Sequence, residues 1–171
     1  MKAVFFDRDG TLIVDKNYLF KPEDVEYFQD TFDALKIIQR LGYECFIVTN
    51  QSGVGRGIFS IDCVYSVHEL MQKDMKKHGL KPFRAIKICP QHPDDSPSFR
   101  KPSPEMIFEL KSEYPQLQLD QSFMIGDKII DAQCGENAGC TGVMLDTIFT
   151  TKYPTYKNLT EFAQYLLSLK I

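Results

Sequence analysis

The stretch that decides the fold is Lys2-Ala3-Val4-Phe5-Phe6-Asp7-Arg8-Asp9-Gly10-Thr11-Leu12, a short apolar run that ends in two carboxylates and a glycine. Residues 3–6 are too few for a helix core and have the composition of a strand buried on both faces. Asp7 and Asp9 then leave the strand with their side chains on the same side, because residues two apart in an extended chain point the same way. A polar turn is the alternative interpretation. However, two such anions repel, and a Mg²⁺ ion, which prefers oxygen ligands, would relieve that repulsion.

Three further segments place polar side chains where a strand ends or a helix begins. Gly126-Asp127-Lys128-Ile129-Ile130-Asp131 follows the apolar run 122–125 and again ends a strand in carboxylates. Ile47-Val48-Thr49-Asn50-Gln51-Ser52 ends in hydroxyl and amide groups, and Arg100-Lys101-Pro102 sets two cations before a predicted helix. In an open α/β sheet, ligands collect at the carboxyl ends of the strands, so we expect the four segments to converge. Acids, a metal, a hydroxyl and a lysine together indicate phosphoryl transfer.

In this order and spacing, the segments resemble the haloacid dehalogenase superfamily of aspartyl-phosphate phosphatases. Within it, residues 6–11, 21–25, 49–57 and 126–128 are similar to the D-glycero-D-manno-heptose-1,7-bisphosphate 7-phosphatases and to the related histidinol-phosphate phosphatases. The resemblance extends over roughly residues 2–145, which is nearly the whole chain.

The resemblance implies a Mg²⁺-dependent phosphatase that hydrolyses a phosphate monoester of a small metabolite through an aspartyl-phosphate intermediate. The segment 21–25 favours heptose 1,7-bisphosphate, cleaved at the 7-phosphate to supply activated heptose for surface polysaccharide such as lipopolysaccharide. Histidinol phosphate is the alternative substrate, and a non-catalytic phosphosugar-binding module is the alternative class. Polynucleotide 3′-phosphatases share the Thr-Asn-Gln segment, but the acidic balance of the chain argues against them.

Strand-like and helix-like segments alternate along the chain, which predicts a parallel sheet covered by helices in a single domain over residues 1–171. The resemblance implies a three-layer Rossmann-like α/β sandwich with five strands in the order 5-4-1-2-3 and no cap domain. A loop or small hairpin is expected to cover the site over residues 12–28, and the last helix is expected on the sheet edge. The predicted strands are 3–6, 44–49, 85–89, 122–125 and 141–145, and the main predicted helices are 31–41, 60–78, one capped by Ser103 with Pro104 first, and 158–169.

Composition narrows the choice of partners and compartment. With 20 basic and 23 acidic residues the net charge is −3, which gives no electrostatic footprint for nucleic acid. The five cysteines are odd in number and scattered, which is typical of reduced thiols in the cytoplasm. No signal sequence and no apolar run long enough to span a membrane is apparent, so we expect a cytoplasmic protein and, as the simplest assembly, a monomer.

The resemblance assigns four catalytic residues. Asp7 is expected to be the nucleophile, and Asp9 to protonate the departing oxygen and later to take a proton from water. Thr49 is expected to donate its hydroxyl to the phosphoryl group, and Lys101 to neutralise charge there and to orient Asp7. Mg²⁺ is expected to bind the Asp7 carboxylate, the Asp9 backbone carbonyl and Asp127.

Substrate contacts are expected from residues around these. Arg56 lies among glycines, and together with Arg100 it suggests a second anionic group on the substrate, although Arg56 is also consistent with an ordinary surface charge. Asp131 has two interpretations, support of the metal site or a charge at a helix amino terminus. The remaining expected substrate contacts are Arg8, Lys128 and, for sugar hydroxyls, Asn50, Gln51 and Ser52.

One loop departs from the pattern of the family. Relatives commonly hold a structural zinc before the Arg-Lys-Pro segment, through a Cys-x-His pair and a Cys-x-Cys pair. Here only Cys89 matches, because Gln91 takes the histidine position and Pro97 and Phe99 replace the two cysteines. His92 alone cannot complete a site that needs four N or S donors. The sequence therefore predicts no zinc, with the loop held by its prolines and by packing of Phe99.

Overall fold

The computed structural model of the protein describes residues 1–96, 98–145 and 151–169. Its centre is a parallel sheet of the strands β1 (Ala3–Phe6), β2 (Glu44–Asn50), β3 (Ile86–Cys89), β4 (Phe123–Gly126), β5 (Thr141–Leu145) and β6 (Thr155–Tyr156). The strands lie in the order β3-β2-β1-β4-β5-β6. No helix in the described ranges is both long enough and apolar enough to span a bilayer.

The prediction of a five-stranded sheet is wrong, because β6 adds a sixth strand beyond β5. Met144 pairs with Thr155 and Leu145 with Tyr156. A strand of two residues is too short to show any periodicity, and β6 is defined only by its neighbour. The predicted α/β fold itself is confirmed, and the first five strands follow the expected order.

The sheet is covered on both faces, because successive side chains of β1 point in opposite directions. The helices are α1 (Thr31–Arg40), α2 (Ser52–Gly55), α3 (Ile61–Lys77), α4 (Glu105–Glu113), α5 (Ile129–Ala138) and α6 (Leu159–Ser168). Val4 and Phe6 pack with α1, α3 and α6, whereas Ala3 and Phe5 pack with α4 and α5. Both faces of β1 are fully buried, so Asp7 and Asp9 follow a strand that is packed on both sides.

Three helix details differ from the expectations. The short helix α2 lies where only a glycine-rich segment was expected. Helix α4 begins at Glu105, so Pro104 and not Ser103 occupies the cap position, although Ser103 Oγ still accepts a long hydrogen bond of 3.5 Å from Glu105 N. Helix α6 packs against α1 over one face of the sheet, and Asp30 accepts hydrogen bonds from the backbone N and the Oγ1 of Thr160 at 2.9 and 3.1 Å.

The segment 12–28 is the expected small hairpin. Val14 N donates to Glu26 O at 2.8 Å and so joins the two arms of the hairpin. A 3₁₀ turn, Pro22–Asp24, precedes the second arm. Tyr18 and Phe20 pack their rings against Phe59, which follows α2. The hairpin is thereby fixed over the carboxyl end of the sheet.

Candidate active site

A cavity of about 230 Å³ opens at the carboxyl ends of β1, β2 and β4. The four segments that the sequence singled out converge on it, as expected for an open α/β sheet. Its walls are formed by Asp7, Arg8, Asp9, Asn50, Gln51, Ser52, Gly53, Arg100, Lys101, Lys128, Ile130 and Asp131, together with hairpin residues Asp15, Asn17, Tyr18 and Leu19.

Three carboxylates meet at one end of this cavity. Asp7, Asp127 and Asp131 each place an oxygen within 4.8 Å of the others, and we call them the carboxylate cluster. Within the described part of the chain, Asp127 Oδ1 is buried without a hydrogen-bond partner. Burial raises the pKa of Asp127 to about 6, and the neighbouring carboxylates add to this shift while Lys128 opposes it. Close oxygens with an unfilled acceptor fit a hard divalent cation such as Mg²⁺.

Gly10 makes room for this cluster. Its backbone has φ +78°, and a Cβ atom there would overlap the Asp127 carboxylate. Two features therefore favour glycine at position 10, the left-handed backbone conformation and the close approach of the Asp127 carboxylate.

Gly10→Ala is expected to weaken Mg²⁺ binding by about tenfold or more, because the new methyl group displaces a cluster carboxylate. Isothermal titration with MgCl₂ measures this directly. Gly79→Ala is the matched control, since Gly79 has φ +70° but open space around its missing Cβ. It should cost stability without changing Mg²⁺ affinity, and equal loss of affinity in both variants would contradict this role of Gly10.

Lys101 contacts two members of the carboxylate cluster. Its Nζ donates to Asp7 Oδ1 at 2.7 Å and to Val48 O at 2.9 Å, and it lies 2.7 Å from Asp131 Oδ1. Burial alone would lower the pKa of Lys101, but the carboxylates of Asp131 and Asp7 outweigh burial and raise it. The ammonium is therefore charged and fixed against Asp7.

Asp131 lies both at the amino terminus of α5 and beside Asp7 and Asp127, so its position is compatible with both interpretations that the sequence left open. Its Oδ2 accepts from Lys128 N at 3.0 Å and so caps α5, while its Oδ1 pairs with Lys101. Gly126 permits this approach, because a Cβ atom there would overlap the Asp131 carboxylate. Asp131, and not the side chain of Asp9, is the third member of the carboxylate cluster.

The Asp9 carboxylate points to a different set of partners. Arg8 donates to it from Nε at 2.9 Å and from Nη2 at 3.0 Å, and Gln51 Nε2 donates to it at 2.9 Å. The Arg8 side chain has no exposed surface. Both Arg8 and Gln51 were expected to contact substrate, but the structure directs their polar groups to protein partners.

The other residues at the carboxyl end of β2 and at the start of α2 are divided between cavity and core. Asn50 holds the backbone of Lys101, accepting from its N at 3.0 Å and donating to its O at 3.3 Å, so its amide is also committed to the protein. Thr49 is buried, and its Oγ1 accepts from Gln51 at 2.9 Å, which leaves its own proton to donate. Ser52 lines the cavity.

The expected substrate cations differ in their placement. Arg100 and Lys128 both line the cavity. Arg100 Nη1 donates to Gln91 O at 3.1 Å, and Lys128 Nζ pairs with Asp15 Oδ2 at 3.2 Å. Arg56 is exposed and does not line the cavity, in agreement with the alternative interpretation of a surface charge.

Sequence reasoning missed the hairpin side of the cavity, which contributes Asp15, Asn17 and Tyr18. Asn17 and Tyr18 both have positive φ, at 52° and 73°. An asparagine in a polar loop is a weak signal for such a backbone, and a tyrosine gives none. Their position in the cavity wall follows from the folding of the hairpin over the sheet, which the sequence pattern does not show.

The loop before Arg100 is organised by Gln91. Its Oε1 accepts from Phe99 N at 2.7 Å and lies 3.5 Å from Cys89 Sγ. Packing of Phe99 was expected, but 46% of this residue is exposed, and its backbone rather than its ring secures the loop. Pro97 lies outside the described residues. The absence of a structural zinc stays a prediction.

His68 lies behind Arg8, with Nε2 at 3.4 Å from Arg8 Nη1. Burial, and then the charge of Arg8, lower the pKa of His68 from 6.5 to about 3. At pH values between these two pKa values, His68 binds a proton in the unfolded chain but not in the folded chain. The free energy of unfolding therefore decreases as the pH falls below about 6.5.

At about pH 5 the loss attributable to His68 is about 2 kcal/mol of unfolding free energy. Urea unfolding of the native protein and of His68→Gln at about pH 7 and pH 5 measures it. The variant should lose less stability between the two values, and an identical loss in both proteins would contradict the prediction. Other titrating groups cancel in the comparison.

A family model and curated proteins of similar sequence both match most of the chain. A family described as polynucleotide kinase 3 phosphatase matches residues 2–149. A D-glycero-beta-D-manno-heptose-1,7-bisphosphate 7-phosphatase of Helicobacter pylori J99 is 34% identical over 96% of this chain and 97% of its own length. A D-glycero-alpha-D-manno-heptose-1,7-bisphosphate 7-phosphatase of Photorhabdus laumondii is 38% identical over 81% and 79%.

Among solved structures, the D,D-heptose 1,7-bisphosphate phosphatase of B. bronchiseptica, complexed with magnesium and phosphate, superposes with a TM-score of 0.88. It is 25% identical, and the match covers 99% of both chains.

Proposed function

The chain belongs to the haloacid dehalogenase superfamily, in the family described as polynucleotide kinase 3 phosphatase, and we propose that it is a Mg²⁺-dependent sugar phosphatase. The proposal of a sugar substrate rests on the similar curated proteins and the similar solved structure, which are named as heptose bisphosphate phosphatases. The proposed substrate is D-glycero-D-manno-heptose 1,7-bisphosphate, which loses its 7-phosphate, as the names of its curated relatives state for those proteins. The observation that carries the proposal is the position of Asp7. Its carboxylate contacts the Lys101 ammonium and also belongs to the carboxylate cluster.

The first step is attack by an Asp7 oxygen on phosphorus. The bond between that oxygen and phosphorus forms, the bond from phosphorus to the sugar oxygen breaks, and Asp9 gives its proton to the departing oxygen. Lys101 holds Asp7 by its Oδ1 at 2.7 Å, which fixes the nucleophile before substrate arrives. Thr49 Oγ1 accepts from Gln51 and donates to no group among the described residues, so we assign its hydroxyl proton to a phosphoryl oxygen.

The second step releases phosphate. Asp9, now a carboxylate, takes a proton from water, the water oxygen bonds to phosphorus, and the bond from phosphorus to Asp7 breaks. Mg²⁺ bound by Asp7, Asp127 and the Asp9 backbone carbonyl would shield the negative charge of the phosphoryl oxygens. The oxygen of Asp127 that lacks a partner fits this ligand role.

Cations at the mouth of the cavity support a substrate with two phosphates. Arg100 is fixed by Gln91 and lines the cavity, so we assign it to the phosphate that is not cleaved. Lys128 also lines the cavity and adds positive charge there, and we assign Ser52, another lining residue, to a sugar hydroxyl. Since Arg56 lies outside the cavity, we give it no contact with the substrate.

A substrate panel tests the proposal. It contains both anomers of heptose 1,7-bisphosphate, fructose 1,6-bisphosphate, histidinol phosphate and a 3′-phosphorylated oligonucleotide, each with and without Mg²⁺. We expect the highest kcat/KM for a heptose bisphosphate and no turnover without Mg²⁺. Preference for histidinol phosphate or for the oligonucleotide would refute the substrate, and tight binding without any turnover would favour a binding module.

We also propose that the protein acts as a monomer in the cytoplasm. The five cysteines are unpaired, and four of them are buried. Cys45, Cys134 and Cys140 have pKa values raised to about 12 by burial, so they are not reactive thiolates. Size-exclusion chromatography with light scattering tests the assembly state.

A further inference from the structure

We propose that Arg8 is a positioning residue for Asp9, and that with Gln51 it leaves only Asp9 Oδ1 free to exchange a proton. The inference rests on the proposed function in one respect, the role of Asp9 as proton donor and acceptor. It replaces the expectation that Arg8 contacts substrate.

The contacts on the Asp9 carboxylate carry the proposal. Oδ2 accepts from Arg8 Nε and from Gln51 Nε2, both at 2.9 Å, and Oδ1 accepts from Arg8 Nη2 at 3.0 Å. A carboxylate oxygen offers two acceptor sites, so Oδ2 is filled, and among the residues that the structure describes Oδ1 has one donor and keeps one site open. The two-pronged contact with the planar guanidinium also stops rotation of the carboxylate.

Arg8 is itself fixed by three other segments of the chain. Besides Asp9 Oδ1, its Nη2 lies 3.0 Å from Leu19 O in the hairpin and 3.1 Å from Gln51 Oε1 after β2, so its two hydrogens are shared among three acceptors. Its Nη1 lies 3.4 Å from His68 Nε2 on α3. Because burial keeps His68 neutral, its Nε2 acts as the acceptor and does not repel the guanidinium.

Burial of the guanidinium argues against a substrate contact. Its side chain has no exposed surface, whereas 17% of the Asp9 side chain is exposed toward the cavity. A fully buried cation is costly unless it is paired and hydrogen-bonded, and within the described residues the carboxylate that pairs with Arg8 is that of Asp9. The structure therefore uses Arg8 to hold Asp9 and lets Asp9 meet the reacting atoms.

The test uses Arg8→Lys, which keeps the charge but loses the two-pronged contact. The probe is p-nitrophenyl phosphate with Mg²⁺, because its leaving group needs no proton and phosphoenzyme formation is then independent of Asp9. Phosphate release from the phosphoenzyme still needs Asp9. We expect kcat to fall by about tenfold to a hundredfold and kcat/KM to stay within about threefold.

A double-mutant cycle with Asp9→Asn separates the two roles. If Arg8 acts through Asp9, Arg8→Lys changes phosphate release by less than about twofold when Asp9 is already asparagine. A lowered kcat/KM, or an undiminished effect in the Asp9→Asn background, would overturn the proposal. Arg84→Lys is the matched control, since Arg84 lies over the Tyr114 ring outside the cavity and should leave both parameters unchanged.

Gln51→Met serves if Arg8→Lys fails to fold, because it removes one donor to Asp9 Oδ2 without leaving a buried charge. A severalfold fall in kcat that shrinks in the Asp9→Asn background supports the proposal, and a fall that persists in full overturns it. A native protein that hydrolyses the probe but no heptose bisphosphate would refute only the proposed substrate. A native protein that hydrolyses neither would refute both.

Discussion

Asp7→Asn is expected to lower kcat by about four orders of magnitude or more, because an amide cannot form the acyl phosphate on which both steps depend. The substitution keeps the shape of the side chain, and Asp7 N still donates to Ile125 O at 2.9 Å, so the fold should persist. Steady-state assays with the best panel substrate measure the loss. Thermal unfolding shows whether the variant is folded.

Asp15→Asn is the matched control for Asp7→Asn. Asp15 also lines the cavity, but it pairs with Lys128 and lies outside the carboxylate cluster. Its replacement should change kcat by less than about tenfold, since it contacts no reacting atom in the proposed mechanism. Loss of activity on the same scale in both variants, or activity of Asp7→Asn within about tenfold of native, would contradict the role of Asp7.

Lys101→Met is expected to damage both stability and catalysis. Without the ammonium, Asp7 and Asp131 face each other as buried carboxylates, which costs about 3–5 kcal/mol of unfolding free energy. Loss of the fixed positive charge at the phosphoryl group should lower kcat by about a thousandfold. Urea unfolding and steady-state kinetics measure the two effects, and added Mg²⁺ should restore part of the stability.

The matched control is Lys87→Met. Lys87 also bridges two carboxylates, Glu113 at 2.6 Å and Glu109 at 3.0 Å, but it does so near the surface. Its removal should cost about 1 kcal/mol or less and leave kcat unchanged. If Lys101→Met were no more destabilising than Lys87→Met, the charge balance derived for the carboxylate cluster would be wrong.

The parts of the fold that could be predicted are those with strong local patterns. The buried run before Asp7 and the similar run before Asp127 marked two central strands, and their order followed from the family resemblance. The two-residue strand β6 could not be predicted, because its pairing with β5 is a property of the assembled sheet.

In the candidate site, too, some features could be predicted from local sequence and others depend on the assembled fold. Asp7, Lys101 and Asp127 were placed from their segments, and they meet as expected. Arg8, Asn50 and Gln51 were expected to bind substrate, because a sequence shows which residues can form hydrogen bonds and not which partners they find. Their partners come from distant segments, such as the Lys101 backbone for Asn50 and Asp9 for Gln51.

The central claim is that the phosphoryl group is transferred to the Asp7 carboxylate. The most direct measurement uses Asp9→Asn, in which phosphate release is slowed, with the best panel substrate, an acid quench and borohydride reduction. Reduction of an acyl phosphate converts the aspartate to homoserine, which peptide mass spectrometry locates. We expect homoserine at position 7, dependent on substrate and Mg²⁺. Continued phosphate release with no homoserine, or homoserine at Asp127 or Asp131 instead, would contradict the claim.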